Sequence, residues 1–298
     1  MFKNQSSETK AVAFGLTAVL LWSTVATAFK IALSYASPIV LLFGASIVSL
    51  VLISLVLLQQ KKFGLALAGL KTLRLRSTAL GLINPIFYYL ILFEAYDRLP
   101  AQVAQPVNYT WAITLSLLSV PVLGHKLSRN DWIGLILGYT GVVIISIAGK
   151  NVTGSLDIIG LALALLSTLL WAGYWLLNTK YAQDPIISLF HNFLICVPVL
   201  GLLLLVWPTV NLDWQWQSLA AITYVGLFEM GITFIFWQLA LRHTSNSARI
   251  GTLIFISPFI SLFLISAILK EPLQWQSFLG LGFIICGVIL AQRRVESA

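Results

Sequence analysis

The sequence predicts an all-α membrane protein of ten transmembrane helices, arranged as two inverted five-helix repeats. Three observations predict this fold class: ten apolar segments of about 20 residues, a low charged fraction, and a second half that repeats landmarks of the first half. Only 9% of the 298 residues are charged, whereas ordinary soluble domains are about 25% charged. The composition therefore excludes an ordinary soluble domain.

The apolar segments are named spans 1 to 10 in chain order. They are predicted at residues 11–33, 38–58, 78–97, 101–123, 131–149, 157–179, 186–207, 217–241, 246–269 and 274–292. Each has the length that an α-helix needs to cross the hydrocarbon core. The connecting loops are short and leave no room for a domain outside the membrane.

The two halves share landmarks at nearly constant separation. Three pairs recur after 146 to 149 residues: Trp22 and Trp171, Gly134 and Gly280, Gly141 and Gly287. Five is odd, so each repeat ends on the side of the bilayer opposite to its start, and the repeats are inverted. We therefore predict one domain over residues 1–149 and a second over 150–298, with a site near the midplane between the two repeats, as is typical of secondary transporters.

The basic residues predict the orientation in the membrane. With the N-terminus in the cytoplasm, the outer side holds four of the 18 Lys and Arg residues, and the inner side holds all the others. Basic residues are retained in cytoplasmic loops, so both termini are predicted to be cytoplasmic. The net charge of +8 is then an orientation signal, and no nucleic-acid partner is expected. The basic run Lys61–Arg76 is predicted to be an inner loop, solvated or facing lipid headgroups.

The start of the chain imitates a secretory signal peptide. Lys3 and Lys10 precede an apolar run that ends in an A-x-A pattern at Ala26–Ala28. We expect this segment to be retained, because span 1 has a counterpart in span 6.

Proline and glycine positions predict helix bends and helix contacts. Pro106 and Pro258 lie inside spans 4 and 9, where a missing donor bends the axis; such spans are candidates for moving or cavity-lining elements, and a simple packing kink is the alternative. Gly134, Gly138 and Gly141 give span 5 a face of small residues, as Gly280 and Gly287 do for span 10. These faces favour close packing within the chain, with a homodimer seam as the alternative.

Spans 4 and 6 carry broad polar and aromatic faces. In span 6, Trp171, Tyr174, Trp175 and Asn178 follow the i, i+3, i+4, i+7 pattern of one helix face. Span 4 carries Gln102, Gln105, Asn108, Tyr109 and Trp111. Amides in a membrane helix are costly unless they are paired or face water. We favour a polar cavity wall over interhelical hydrogen bonding for span 4.

Two carboxylates lie in or beside the spans. Glu94 is four residues before Arg98, so an ion pair is its predicted role. Glu229 lies deeper, in span 8, on one face with Thr233 and Trp237, and is a candidate proton carrier. Glu271 is predicted to be a helix-start residue before span 10.

Enzymatic patterns are not found in the sequence. It contains no P-loop, no H-E-x-x-H, no G-x-S-x-G and no dinucleotide fingerprint. Cys196 and Cys286 fall in apolar spans and are interpreted as small hydrophobic residues. We therefore predict a protein that is not an enzyme and has no cofactor and no metal site.

Several motifs resemble a known family. Leu21–Thr24, Leu170–Ala172 and Leu269–Leu273 followed by Gly280 to Gly287 resemble EamA-type members of the drug/metabolite transporter superfamily. The segments Gln105–Trp111, Leu170–Tyr174 and Asn178–Ala182 are similar to bacterial aromatic amino-acid exporters. The resemblance covers nearly the whole chain.

The resemblance implies an exporter of the bacterial inner membrane with a central cavity between spans 1, 3, 4, 6, 8 and 9. It implies that Tyr109, Trp111, Trp171 and Trp237 line this cavity, with Tyr88 and Trp22 adjacent. Two positions depart from the exporter pattern: Ala112 replaces a proline, whose place in the second repeat is held by Pro258, and His125 replaces a glutamate. The first departure puts the bend of span 4 in question.

The combined hypothesis is a secondary transporter that exports amino acids, aromatic ones favoured, or similar small amphipathic metabolites by alternating access. The predicted partners are a small-molecule substrate and membrane lipids. Alternatives are a carrier of a nucleoside, a nucleotide-sugar or a polyamine, or a lipid flippase or lipid-modifying protein. The candidate substrate-binding residues are Trp22, Tyr88, Gln105, Asn108, Tyr109, Trp111, Trp171, Tyr174, Asn178, Glu229, Thr233, Trp237 and Pro258.

Overall fold

The computed structural model describes most of the chain. The described residues are 5–70, 78, 80–123, 129–155, 157–178, 184–207, 210–213, 215–244, 250 and 253–292. Within these ranges the side chains at 5–6, 116, 119, 123, 149–153, 178 and 291–292 are not described. His125 lies outside the described residues, and so does the Lys71–Arg76 part of the basic run.

The ten predicted helices are found within the described ranges, and the fold is the ten-helix, two-repeat membrane fold. Six spans are single helices: span 1 is Gln5–Leu33, span 2 Pro38–Gln59, span 5 Arg129–Thr153, span 6 Ile158–Asn178, span 7 Pro185–Val206 and span 10 Trp275–Gln292. The other four are each built from two or three pieces: span 3 from Leu82–Phe87 and Tyr88–Arg98, span 4 from Ala101–Tyr109 and Trp111–Leu123, span 8 from Trp216–Tyr224, Val225–Glu229 and Ile232–His243, and span 9 from Leu253–Ile256, Ser257–Leu264 and Ile265–Leu269.

A short helix, Phe63–Leu70, lies within the basic run that was predicted to be a loop. His191 of span 7 donates to the carbonyl oxygen of Ala66 at 2.8 Å, and Phe63 packs edge-on against Phe190 with ring centroids 5.6 Å apart. Leu65 on the same helix is 64% exposed. The helix was missed because a loop was inferred from charge alone, while its own residues are apolar.

The chain forms two compact units. The first unit comprises Met1–Ile86 and Gln183–Leu264, and the second comprises Phe87–Ala182 and Ile265–Ala298. Each unit therefore combines segments from both predicted repeats.

The first unit is centred on span 1. Span 1 packs on Ile232–His243 of span 8 and on Ser257–Leu264 of span 9, and span 2 packs on span 7. Between the ends of these helices, Ala36 and Leu212 form an isolated antiparallel bridge, and Asp213 N–H donates to the Tyr35 carbonyl at 2.8 Å. The loop after span 1 is thereby tied to the loop after span 7.

The second unit contains the glycine contact predicted for spans 5 and 10. A Cβ added to Gly141 would come within 2.4 Å of the Gly280 carbonyl oxygen, and one added to Gly287 within 2.5 Å of the Gly134 carbonyl oxygen. The two backbones approach more closely than any side chain allows, which is how small residues hold helices together in lipid. The prediction that these faces pack within the chain is confirmed.

Span 8 was predicted to be one continuous helix, and this was wrong. The Ser49 hydroxyl of span 2 lies 2.8 Å from the Gly226 carbonyl and 2.9 Å from the Ala45 carbonyl of its own helix, and these two acceptors share its single proton. Met230 N–H, which an α-helix would bond to Gly226, instead bonds the Val225 carbonyl at 3.3 Å, so Val225–Glu229 is a π-helical turn. The helix stops there and restarts after Gly231, whose φ and ψ are −126° and −90°.

Three of the spans that carry a proline are interrupted near it. Span 4 contains Pro106 and breaks at Thr110, whose N–H bonds Val107 in place of Pro106. Span 4 is therefore interrupted although Ala112 replaces the proline of the exporter pattern. Span 9 passes from a 3₁₀ turn to an α-helix beside Pro258. Span 3 contains an interruption that was not predicted, at the cis peptide bond Asn84–Pro85.

Candidate functional site

The second unit gathers aromatic side chains around Trp171. Trp171 stacks on Tyr88 of span 3 with ring centroids 4.7 Å apart and an interplanar angle of 30°. It also stacks on Tyr174 at 6.0 Å and meets Trp111 of span 4 edge-on at 6.4 Å. We name Tyr88, Asn108, Trp111, Ser167, Trp171 and Tyr174 the Trp171 cluster. The predicted aromatic face of span 6 is formed, and it brings spans 3, 4 and 6 together.

Asn108 joins the polar groups of the Trp171 cluster. Its amide nitrogen donates to the Ser167 hydroxyl at 3.0 Å, and its amide oxygen accepts from the Tyr88 hydroxyl at 3.5 Å. Ser167 in turn donates to the Ala164 carbonyl at 2.7 Å. The amide therefore bonds Ser167 and lies beside the phenol that stacks on Trp171, and it retains one N–H for a further partner.

The two glutamines of span 4 differ in their partners. Both ends of the Gln102 amide bond other parts of the protein: the nitrogen donates to the Pro272 carbonyl at 3.1 Å, and the oxygen accepts from the Ser277 hydroxyl at 3.2 Å. For Gln102 the cavity-wall interpretation was wrong, and interhelical hydrogen bonding is correct. Gln105 is also buried, but its amide oxygen has no hydrogen-bond partner among the described residues. The Gln105 amide oxygen can therefore accept a hydrogen bond from a ligand or from water.

Four further candidates have the following positions. Tyr109 and Trp111 are half-buried on either side of the Thr110 break. Pro258 is buried at the start of the α-helical part of span 9. Asn178 ends span 6, and its side chain is outside the described part.

A second aromatic group, the Trp22 cluster, lies in the first unit and comprises Trp22, Phe234 and Trp237. Trp22 of span 1 meets Phe234 edge-on at 5.6 Å and Trp237 at 5.4 Å. Nearby on the same two spans, the hydroxyls of Thr24 and Tyr224 lie 2.7 Å apart. The candidates Trp22 and Trp237 are thus in direct contact.

Glu229 is the last residue of the π-helical turn in span 8. It is 9% exposed, and the helix is interrupted directly after it. Thr233, also buried, donates its hydroxyl back to the Phe228 carbonyl and so spans the interruption. A carboxyl group at an interrupted helix within the membrane is a typical position for a coupling group.

The first unit also contains buried hydroxyls without partners. Ser257 and Ser261 are fully buried on the part of span 9 that packs on span 1, and Thr27 of span 1 is 3% exposed. None of these three hydroxyls has a hydrogen-bond partner among the described residues. They are available to a polar ligand or to water.

Three contact residues were missed from the sequence. Ser167 lies four residues before Trp171, so extending the span 6 face by one turn would have found it. Tyr224 and Phe234 gave no such signal, because the interruption in span 8 changes which residues share a face.

The predicted ion pair is present. Arg98 donates to Glu94 at 2.8 Å, with both side chains exposed by more than a third. Within the described ranges, no group of three or more His, Cys, Asp or Glu side chains lies close enough together to hold a metal ion.

Comparison with known proteins identifies a family. The model of the EamA-like transporter family matches residues 9–147 and again 158–292. A relative from Bacillus subtilis, named "Uncharacterized transporter YvbV", is 23% identical over 94% of this chain and 90% of its own length. A relative from Ancylobacter novellus, named "Aromatic amino acid exporter YddG", is 25% identical over 87% of this chain and 88% of its own length. These matches confirm the resemblance inferred from the sequence motifs.

A solved crystal structure shows the same fold. It is 20% identical in sequence, has a TM-score of 0.69, and the match covers 95% of this chain and 97% of that chain.

Proposed function

Because this chain belongs to the EamA-like transporter family, we propose that it is a secondary transporter that exports amino acids, aromatic ones favoured, by alternating access. We further propose that it lies in the bacterial inner membrane with both termini in the cytoplasm, since the Lys and Arg residues concentrate on one side of the predicted topology. Its partners are then the transported small molecule and the surrounding lipids.

The Trp171 cluster is the observation that carries the substrate proposal. Trp171, Trp111 and Tyr88 offer aromatic surfaces from three spans, and aromatic rings prefer stacked or edge-on contacts with other rings. Trp171 and Trp111 are only half-buried, so part of each ring is accessible to an apolar or aromatic ligand.

The polar groups of the second unit suit an uncharged or zwitterionic ligand. The partnerless amide oxygen of Gln105 is an acceptor for an ammonium group, and the buried indole N–H of Trp175, which has no partner among the described residues, is a donor for a carboxylate. Spans 3, 4 and 6 carry one Lys or Arg in their described parts, Arg98, which pairs with Glu94. A phosphorylated ligand such as a nucleotide-sugar requires more positive charge than these spans provide.

The relative from Ancylobacter novellus supports the proposed substrate class, because it is named an aromatic amino acid exporter. At 25% identity the name alone does not carry the substrate to this chain. The aromatic and amide groups around Trp171 are the independent support.

Uptake into proteoliposomes tests the proposal. Purified protein is reconstituted and assayed with labelled Phe, Trp, Thr and Met, with empty liposomes as the control. We expect saturable flux with Phe and Trp preferred over Thr and Met. No flux of any of the four would end the amino-acid proposal, and a thermal-shift panel with nucleosides and polyamines would then identify another solute class.

A further inference from the structure

The start of span 4 is held by a residue from a distant loop. Glu271 lies between spans 9 and 10 and was predicted to be a helix-start residue before span 10. Its two carboxylate oxygens instead accept the Ala101 N–H at 2.9 Å and the Gln102 N–H at 3.2 Å. All three residues belong to the second unit.

This contact supplies what the local sequence lacks. The first four N–H groups of an α-helix have no partner within the helix, and Pro100 in the N-cap position makes no side-chain cap. The Pro100 carbonyl accepts from Val103 and Ala104, both at 3.0 Å, and Glu271 accepts from the two remaining groups. A carboxylate at this end also interacts favourably with the helix dipole.

The surrounding bonds fix the loop to the helix. Gln102 donates to the Pro272 carbonyl and accepts from Ser277 in the first turn of span 10. Lys270, directly before Glu271, has φ of 60°, in the left-handed region. Its ammonium group donates to the Ala267 carbonyl at the end of span 9, at 2.7 Å. The loop therefore joins the end of span 9, the start of span 10 and the start of span 4.

Span 4 carries the candidate ligand groups directly after this cap. Gln105 lies one turn beyond Ala101, and Asn108 and Trp111 lie two and three turns beyond it. The helix is interrupted at Thr110, so its short first piece, Ala101–Tyr109, depends on the contacts at its ends more than a long helix would.

We propose that Glu271 is a positioning residue for substrate binding: its carboxylate fixes the first piece of span 4 and thereby sets the positions of Gln105 and Asn108. The substrate part of this inference rests on the proposed function, whereas the cap itself does not. Because Glu271 reaches the ligand groups through the helix, its loss alters where they lie without removing any of them.

Hydrogen exchange of the purified protein tests the cap without any substrate. In Glu271→Ala we expect amide exchange to rise about tenfold both in a fragment near 99–104 and in one near 105–111, since a charged cap of this kind changes the local opening equilibrium by roughly that factor. Glu271→Gln keeps one neutral acceptor and is expected to show a smaller rise. Glu94→Ala, which removes a carboxylate from an exposed ion pair in the same unit, is the matched control and is expected to match the unmodified protein.

Transport kinetics test the positioning role. We expect Glu271→Ala to raise KM about fivefold, because displaced ligand groups weaken binding. The KM of Glu271→Gln is expected to lie between that of Glu271→Ala and that of the unmodified protein. Simple loss of folded protein would lower the maximal rate and leave KM unchanged. If Glu271→Ala does not fold, as judged by tryptophan fluorescence on heating, the Glu271→Gln comparison decides alone.

Three results would overturn the inference. These are unchanged exchange in both fragments, a rise confined to 99–104, and a rise in both fragments with an unchanged KM. If the unmodified protein carries none of the four amino acids, the proposed function fails, and the exchange measurements still decide whether Glu271 sets the position of span 4.

Discussion

The Trp171 cluster and the Trp22 cluster each adjoin an interrupted span, and the hydrogen bonds at the two interruptions differ in how far apart their partners lie in the sequence. In span 4 the contacts are local: the break lies one turn after Pro106, and both the N–H and the hydroxyl of Thr110 bond the Val107 carbonyl, the hydroxyl at 2.8 Å. In span 8 the interruption coincides with a contact that is distant in sequence, because the Gly226 carbonyl lies 2.8 Å from the Ser49 hydroxyl of span 2. The hydrogen bonds at the first interruption lie within span 4 itself, whereas the hydrogen bond at the second forms only when spans 2 and 8 pack together.

The two clusters also differ in chemistry. The Trp171 cluster combines three spans with an amide network and has no carboxylate among its members. The Trp22 cluster lies on spans 1 and 8, and span 8 carries the buried Glu229 at its interruption. This difference suggests a division of labour in which the first cluster recognises the ligand and the span 8 interruption couples transport to protons.

Removing the central indole of each cluster gives the largest expected effect. We expect Trp171→Ala to raise KM for Phe and Trp by about 30-fold, because one well-placed aromatic contact is worth about 1–3 kcal/mol. Trp22→Ala is expected to raise KM less than threefold, and Trp216→Ala, which removes a 74% exposed indole, not at all. Proteoliposome uptake over a range of substrate concentrations measures all three. Equal effects at Trp171 and Trp22 would contradict the division of labour.

Replacing the carboxyl group of span 8 tests whether the span 8 interruption couples transport to protons. In Glu229→Gln we expect pH-gradient-driven accumulation to fall about tenfold, since the amide retains the shape but carries no proton. Substrate exchange without a gradient is expected to stay within twofold of the unmodified rate. Glu94→Gln is the control for loss of a carboxylate. If gradient-driven flux in Glu229→Gln is unchanged, Glu229 is not the proton carrier.

A methyl group at Gly226 tests whether span 8 packs tightly on span 2 beside the interruption. The added Cβ would lie 2.6 Å from the Ala45 carbonyl oxygen, a backbone atom that cannot move aside alone. We expect Gly226→Ala to destabilise the protein by about 1–3 kcal/mol, seen as a lower unfolding temperature in detergent. Gly282→Ala, where a Cβ meets nothing within 4 Å, is the matched control and is expected to be neutral or slightly stabilising. Wild-type stability in Gly226→Ala would show that spans 2 and 8 are not tightly packed there.

The same contrast explains what was predictable from the sequence. The spans follow from length and hydropathy, so that span 2 was predicted at 38–58 and is Pro38–Gln59. The aromatic face of span 6 follows from helical periodicity, and its contacts within the second unit agree with it. Length, hydropathy and periodicity of single segments therefore located the spans, although the short helix Phe63–Leu70 and the interruption at Asn84–Pro85 were missed.

Other incorrect predictions concern groups whose partners come from another part of the chain. Ser49 and Gly226 are 177 residues apart, and Glu271 and Ala101 are 170 apart. Gln102 could not be separated from Gln105 by composition or spacing, because only the fold brings Ser277 and Pro272 to one of them. Hydrogen bonds of this kind depend on helix packing, on which periodicity gives no information.

Ion pairs at the helix ends of the two units give the smallest expected effect. Burial alone would raise the pKa of the Asp184 carboxyl, but the Lys62 ammonium group 2.5 Å away and the Ile186 N–H outweigh it and hold the pKa below its ordinary value of 3.8. Asp184→Asn keeps a side chain that can cap span 7 and removes the charge. We expect Asp184→Asn to lower the free energy of unfolding by about 0.5 kcal/mol at neutral pH, because partly exposed ion pairs contribute little to stability. Glu94→Gln, in the more exposed pair of the second unit, is expected to lower it by even less.

Because the folded-state pKa of Asp184 is depressed, the contribution of its charge to stability is complete above pH 3.8 and is lost as the pH falls below that value. Unfolding temperatures of Asp184→Asn and the unmodified protein should therefore converge in acid, and a constant difference down to pH 3 would show that the stabilisation does not come from the charge.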